Sequence, residues 1–259
     1  MHLYIPTYKR PFNQRTYDFL EKSWQGRVTF VVHPSEMNHF IGKDFVVCDK
    51  VGAPEFRERA VLDAMTKERW TIFMFDDDLR FSMRTPDWTF ENPKLVPMNP
   101  EDLSAALCEV EQVLDSGKYA LVGFAPRGFN NGERCHPTRE NTRIMRAFGV
   151  NVAVLLEENI VFNKYPYWED FHVTLSLLTR GYANLVFTKF CNDGVTNAKG
   201  GVSEYRTRET LIETRKDFLK EWGDYVVPVE KGSVGWGKTD EVTMPDLKID
   251  WAKAWRNRK

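Results

Sequence analysis

The sequence predicts an α/β protein with a mixed, mostly parallel sheet and helices on both faces, and three observations lead there. Apolar runs and amphipathic segments follow one another in the order strand, helix, strand, strand, helix, strand over the first 75 residues, with short connections. The last of those strands, Trp70–Phe75, is apolar without alternation, as a strand covered on both faces must be. Helix stops are also marked, with Gly26, Gly117 and Gly181 each closing an amphipathic run.

Taken in order, Leu3-Tyr4-Ile5 is a short strand running into the Pro6–Pro11 loop, whose two prolines keep amides out of a sheet. Asn13–Trp24 is predicted helical, with Tyr17, Leu20 and Trp24 at helical spacing. Val28–His33 and Asp44–Cys48 read as strands. Glu55–Arg69 places Phe56, Ala60, Val61, Ala64 and Met65 on one helix face and leads into the central strand. Arg84–Met98 holds three prolines without periodicity and reads as a surface loop. Asn99-Pro100-Glu101 then supplies a cap residue, a first-turn proline and an acid, opening a helix with Leu103, Ala106, Leu107, Val110 and Leu114 inward. Tyr119–Ala125 is a strand and Arg127–Gly132 a turn-rich loop. Arg143–Phe148 and Val150–Leu156 read as strands, Asp170–Arg180 as a helix, Leu185–Phe190 as a strand and Asn192–Gly201 as a small-residue loop. Thr207 caps a last long helix with Leu211, Phe218, Leu219 and Trp222 inward. The tail beyond Gly223 has little periodicity, so the chain divides into a domain over residues 1–223 and an extension, 224–259, expected to wrap it.

Composition narrows the function classes. With 259 residues and 42% hydrophobic content the chain can bury one large core. Lys+Arg 36 against Asp+Glu 37 leaves a net charge of -1, so neither nucleic acid nor an anionic membrane is attracted globally. An anionic partner has to be met by a local cluster. Cys48, Cys108, Cys135 and Cys191 are far apart and form no CxxC pair, which argues for reduced thiols rather than zinc or disulfides. The N-terminus shows no signal peptide, and the longest apolar run, Val150–Leu156, is too short for a bilayer. The expected location is the cytoplasm.

The chemistry is expected at the end of the central strand. Asp76, Asp77 and Asp78 follow it directly, and three adjacent negative charges at a buried strand end are costly without a positive counterpart. A divalent cation is one answer. Asp76 and Asp78 are two apart, which on an extended backbone puts both carboxylates on one side, and hard oxygen ligands suit Mg²⁺ or Mn²⁺. The other reading is an acidic turn capping a following helix. Two further features converge with it: the loop after the first strand, with Thr7, Tyr8 and Arg10, and Tyr167-Trp168-Glu169-Asp170-Phe171 at a helix start.

Tyr4-Ile5-Pro6-Thr7-Tyr8-Lys9-Arg10, the acidic strand end and the Glu169-Asp170 helix start together resemble a GT-A glycosyltransferase close to family 2. Gly52-Ala53-Pro54-Glu55-Phe56-Arg57, Asp76-Asp77-Asp78-Leu79, Asn141-Thr142-Arg143-Ile144, Glu169-Asp170-Phe171 and the run Asn197–Thr207 narrow the resemblance to the TET/JBP-associated glycosyltransferases, over roughly residues 1 to 215. That group is linked, largely in bacteriophages, to glycosylation of hydroxymethylated pyrimidines in DNA. The chain departs from the pattern at His172, where an acid is common, and at Val202, often a cysteine.

The resemblance implies a Rossmann-like GT-A fold and a metal-dependent, inverting transfer of sugar from a UDP-sugar such as UDP-glucose to 5-hydroxymethylcytosine in DNA. It assigns Asp76 and Asp78 to the metal, with Asp193 as a candidate third ligand whose alternative is an ordinary turn aspartate. Pro6, Thr7, Tyr8, Arg10, Arg57, Asp76 and Asp77 would hold the donor, with Tyr8 stacking on uracil. Asp170 would take the proton of the acceptor hydroxyl while Glu169 orients acceptor or donor sugar. Acceptor contacts fall to Phe129, Asn130, Asn131, Asn141, Arg143, Gly200, Gly201 and Arg206. The arginine-rich segment Arg127–Arg146 suits DNA phosphates, and a solvated, ion-paired surface explains it equally well. Rival readings are transfer to a glycan, lipid or small molecule, a metal-dependent nucleotidyltransferase or nuclease, and a non-catalytic DNA reader.

Overall fold

The computed structural model describes residues 1–85, 95–128, 136–194, 207–231 and 243–259, and a ten-stranded mixed sheet runs through its centre. One half is parallel: β1 (His2–Pro6), β2 (Val28–Val32), β3 (Phe45–Val47) and β4 (Thr71–Phe75) lie in the order β3-β2-β1-β4. The other half comprises β5 (Leu79–Arg84), β6 (Leu95–Pro97), β7 (Leu121–Pro126), β8 (Thr138–Glu140), β9 (Ala147–Asn151) and β10 (Asn184–Gly194), continuing as β4-β9-β7-β10-β5-β6 with β8 also on β10. Here β9 runs antiparallel to β4 and β7, and β10 runs parallel to β7 and antiparallel to β5.

Helices cover both faces, which is why β2 is buried at every position and Ile72–Phe75 of β4 are each at most 1% exposed. On one face α1 (Arg15–Phe19), α2 (Lys22–Gln25) and α4 (Pro100–Asp115) join Phe30, Phe73 and Phe75 in a single core. On the other, α3 (Ala53–Thr66), α5 (Val152–Glu157) and α6 (Glu169–Thr179) pack on Tyr4, Val31, Ile72 and Met74. Helix starts follow the sequence signals. Asn99 and Asp102 form a reciprocal capping box for α4, and Thr207 with Thr210 does the same for α7 (Arg208–Trp222). A third core, with Phe171, Leu175, Leu178, Phe218, Trp222 and Leu247, joins α6 and α7 to the hairpin of β11 (Val226–Lys231) and β12 (Met244–Ile249) and to α8 (Trp251–Arg256).

Several elements differ from the sequence expectation. Asn13–Trp24 is two short helices, because the backbone is extended at Leu20 and Glu21. Leu79–Arg84 is a strand, its alternating Leu79 and Phe81 buried on β10. Leu95–Pro97 is a short edge strand inside the expected loop. Val150–Leu156 is strand only to Asn151, whose side chain then accepts from the amide of Val154 and starts α5. Residues 141–146, expected to include a strand, instead cross from the start of β10 to the start of β9. The close crossing requires Gly123 in β7, where an added Cβ would lie 2.6 Å from Ile144 and 2.8 Å from the Ala147 carbonyl. Asn192 and Asp193 belong to β10, not to a loop.

Among the described residues Cys48, Cys108 and Cys191 are unpaired, while Cys135 lies outside them. Among the same residues no helix is long and apolar enough to cross a membrane.

His172 on α6 is buried between Tyr165 and Trp222, with Nδ1 unpartnered, and burial lowers its pKa to about 4. An unfolded histidine binds a proton near pH 6.5. Between about pH 6.5 and 4 the unfolded chain therefore holds the extra proton, and stability present above this window is lost as pH falls. Urea unfolding at pH 7 and pH 5 is expected to show a loss from this residue of roughly 2 kcal/mol, absent in His172→Phe.

Candidate active site

Parallel strands β1 and β4 end at one sheet edge, as do β7 and β10, while β5 and β9 begin there. The acidic triplet lies on that edge as the turn between β4 and β5, so no helix follows for it to cap. Asp77 points inward, 5% exposed, and accepts from the Thr7 hydroxyl at 2.7 Å and from Nη1 of Arg10 at 2.7 Å. The same Nη1 donates to Oδ2 of Asp78 at 2.9 Å. Burial pushes the Asp77 carboxyl up to about 6 against the opposing pull of Arg10 and Thr7, and Asp78 adds to the rise. Gln14 donates to the Thr7 hydroxyl and the Arg10 carbonyl, at 2.8 and 2.7 Å. Thr16 staples the turn from α1: its amide donates to the Asp77 carbonyl, and its hydroxyl donates to the Asp76 carbonyl and accepts from the Leu79 amide.

Arg57, one turn into α3 and 5% exposed, bridges two elements. It donates to Oδ1 of Asp76 at 2.9 Å and to Oε1 of Glu169 at 2.6 Å, over the ring of Phe148. Burial alone would lower its pKa, but Glu169, Asp76 and Asp170 outweigh that and hold the guanidinium charged. Glu169 is itself buried, so its carboxylate serves Arg57 rather than an open face. Asp170 follows it at the start of α6, 3.5 Å from Nη2 of Arg143, whose guanidinium lies 4.4 Å from the centre of the Phe171 ring. Trp168, preceding both carboxylates, is left-handed at φ 61°.

The donor set fits a divalent ion. The side chains of Asp76 and Asp78 are 35% and 17% exposed on the edge, whereas that of Asp77 is buried. Burial raises the Asp78 carboxyl, and the neighbouring charge of Asp76 raises it further. Arg57 takes only Oδ1 of Asp76 and Arg10 only Oδ2 of Asp78. That leaves one carboxylate oxygen on each, the ligand count Mg²⁺ or Mn²⁺ takes when phosphates and water complete its shell. Among the described residues no group of three carboxylate, histidine or cysteine side chains is placed to hold a metal. Asp193 in particular does not join the pair. It stands opposite Arg80 in the ladder with its carboxylate 3.6 Å from Arg127, while its neighbour Gly194 is the residue beside Asp78.

The remaining expected residues divide. Pro6 ends β1, and Tyr8 beyond it sets its ring edge-on to His33 and Phe56, at 5.6 and 6.3 Å. Asn141 is not at the site. Its amide donates to Asn184, the first residue of β10, at the end of that strand away from the acidic turn. Phe129, Asn130, Asn131, Gly200, Gly201 and Arg206 lie outside the described residues. Sequence reasoning missed Gln14 and Thr16, whose only signal is their position just after the Pro6–Pro11 loop.

A Rossmann-like sheet carrying paired aspartates at its C-terminal edge and carboxylates at a facing helix start defines a GT-A glycosyltransferase. The chain belongs to the TET-associated glycosyltransferase family, which it matches over residues 1–201. No curated protein sequence matches it significantly. Among solved structures it is similar to glucosyl-3-phosphoglycerate synthase from Mycobacterium tuberculosis in complex with Mn²⁺, UDP and glucosyl-3-phosphoglycerate. The identity there is 10%, with 96% of this chain and 86% of that chain covered and a TM-score of 0.53. The complex of the same enzyme with Mn²⁺, UDP-glucose and phosphoglyceric acid gives 10% identity, 88% and 83% coverage and a TM-score of 0.52. S. aureus TarS 1-349 matches at 15% identity and a TM-score of 0.43, over 85% of this chain and 66% of its own, just under two thirds. The synthase likenesses show the fold.

Arg57 should be the side chain whose loss the site tolerates least. Arg57→Met removes the guanidinium shared by Asp76 and the buried Glu169, and chemical denaturation is expected to show a loss of about 3–5 kcal/mol. Adding Glu169→Gln should recover part of it, because one of the two carboxylate charges is then removed.

Proposed function

We propose that this glycosyltransferase moves a sugar from a UDP-sugar, in the presence of Mn²⁺ or Mg²⁺, to the hydroxymethyl group of a modified pyrimidine in DNA, 5-hydroxymethylcytosine in the first instance. The observation that carries the reading is the arrangement around Arg57. On one side stands an edge carboxylate pair with an oxygen left on each member, and on the other a carboxylate, Asp170, at the start of α6.

Asp76 and Asp78 would hold the ion, which when bound supplies positive charge against the diphosphate. Tyr8, just beyond β1, would stack on uracil. Thr7 and Arg10 act through Asp77: they fix the turn, so that its neighbours face outward. Asp170 accepts the proton of the acceptor hydroxyl as that oxygen bonds to the anomeric carbon. The bond from that carbon to the diphosphate oxygen breaks, the electron pair leaves with UDP, and attack from the opposite face inverts the centre. Arg143, over the Phe171 ring and 3.5 Å from Asp170, would position that carboxylate. The likeness to a synthase solved with Mn²⁺ and UDP supports the donor half of the reading. The acceptor half rests on the family and on the exposed arginines of the edge, Arg127 among them.

Incubation of hydroxymethylated DNA with a panel of UDP-sugars and Mn²⁺, followed by nucleoside mass spectrometry, tests the whole. A hexose mass increment on the modified nucleoside, equimolar with free UDP, is expected. Asp170→Asn should lower transfer by at least 100-fold with UDP binding intact, and Asp76→Asn with Asp78→Asn should remove the metal dependence of UDP binding. Sugar appearing on a glycan or small molecule with DNA unmodified would refute the DNA acceptor and leave the donor half standing.

A further inference from the structure

Among the described residues four arginines flank the acidic turn and Asp170, and three are paired: Arg10 with Asp77 and Asp78, Arg57 with Asp76 and Glu169, Arg143 beside Asp170. The fourth, Arg146, immediately precedes β9. Among the described residues its guanidinium enters no hydrogen bond or ion pair. Its place is nevertheless fixed. The Arg146 carbonyl accepts from the Asp76 amide at 2.9 Å, which ties its backbone to the first residue of the acidic turn. Its side chain lies along Gly194: a Cβ there would be 3.3 Å from Nη1 of Arg146 and 3.8 Å from Oδ1 of Asp78. That Oδ1 is the Asp78 oxygen that Arg10 leaves open.

The backbone of Arg146 is also strained, at φ 67°. A non-glycine residue in the left-handed region costs on the order of 1–2 kcal/mol, and such residues gather where function needs them. The residue stands just outside β9, which begins with Ala147 opposite Phe75. There a half-buried guanidinium, its charge acting on Asp78 without a hydrogen bond to it, lies beside the carboxylates expected to carry the metal. A planar fork of donors beside that pair matches a bidentate phosphate.

Resting on the function proposed above, we infer that Arg146 binds the diphosphate of the nucleotide donor and stabilises its charge as it leaves. The arginine-rich run 127–146 suits DNA phosphates by composition. The geometry separates this one member from that role and puts it on the donor side.

Calorimetric titration with UDP and Mn²⁺, beside ligand-observed NMR with uridine, tests the assignment on the wild type, Arg146→Gly and Arg146→Lys. Glycine suits the backbone conformation, so Arg146→Gly should melt no lower than the wild type. Its UDP affinity should fall about 10- to 100-fold, the loss of a charge-assisted pair of hydrogen bonds. Uridine binding should be unchanged, and lysine should recover part of the UDP affinity. Unchanged UDP binding in Arg146→Gly, or DNA affinity lost in its place, overturns the assignment while the proposed function stands. So does equal loss of UDP and uridine with a lower melting temperature, which marks a structural residue. A wild-type protein that binds no UDP refutes the donor reading itself and the assignment with it.

Discussion

Three consecutive carboxylates at the end of a buried strand repel one another, and their neutralisation is the constraint on which the rest of the molecule depends. Arg10 ties Asp77 and Asp78, and Arg57 ties Asp76 to Glu169. A guanidinium suits this task because it stays charged under burial and can serve two carboxylates at once. Each pairing is incomplete in a useful way. The inward Asp77 has both oxygens occupied, while Asp76 and Asp78 each keep one for something that arrives later. The turn is thus neutral enough to fold and still underfilled enough to bind.

Topology decides which residues can share that turn. In the parallel half, strand ends deliver Pro6, Tyr8 and Asp76 to one edge. The reversed strands β5 and β9 bring their beginnings there instead, which is how Leu79 and Arg146 come to lie beside residues more than sixty positions away in sequence. Gly123 makes the crossing segment 141–146 possible by giving up a side chain. Without that close approach neither Ile144 nor Arg143 would reach the start of α6.

Much of this was legible in the residues. The central strand, the capped helices α4 and α7 and the acidic turn all announce themselves through patterns spanning a few neighbours. What failed was of another kind. Leu79–Arg84 alternates at Leu79 and Phe81 as a strand does, but the acids before it are read first as metal ligands. Asn141 and Arg143 are two apart in sequence, yet the amide of one bonds Asn184 at the start of β10 while the guanidinium of the other reaches Asp170. Asp193 belonged to a strand whose alternation turns its side chain away from Asp78 and offers Gly194 in its place. A left-handed arginine carries no mark in sequence at all. Turn chemistry and periodicity are local, and these placements are set by pairing between distant strands.

The third core runs along α6 from Phe171 to Leu178, and beyond it lies the end remote from Glu169. There the amide of Lys259 donates to the carbonyl of Thr179, the last residue of the helix. Eleven residues rise about 16 Å. A fluorophore or affinity handle on the exposed Lys259 side chain would therefore sit about that far from the carboxylates, beside the very element that carries them. It could report on tilting of α6 without obstructing anything that docks at the opposite tip.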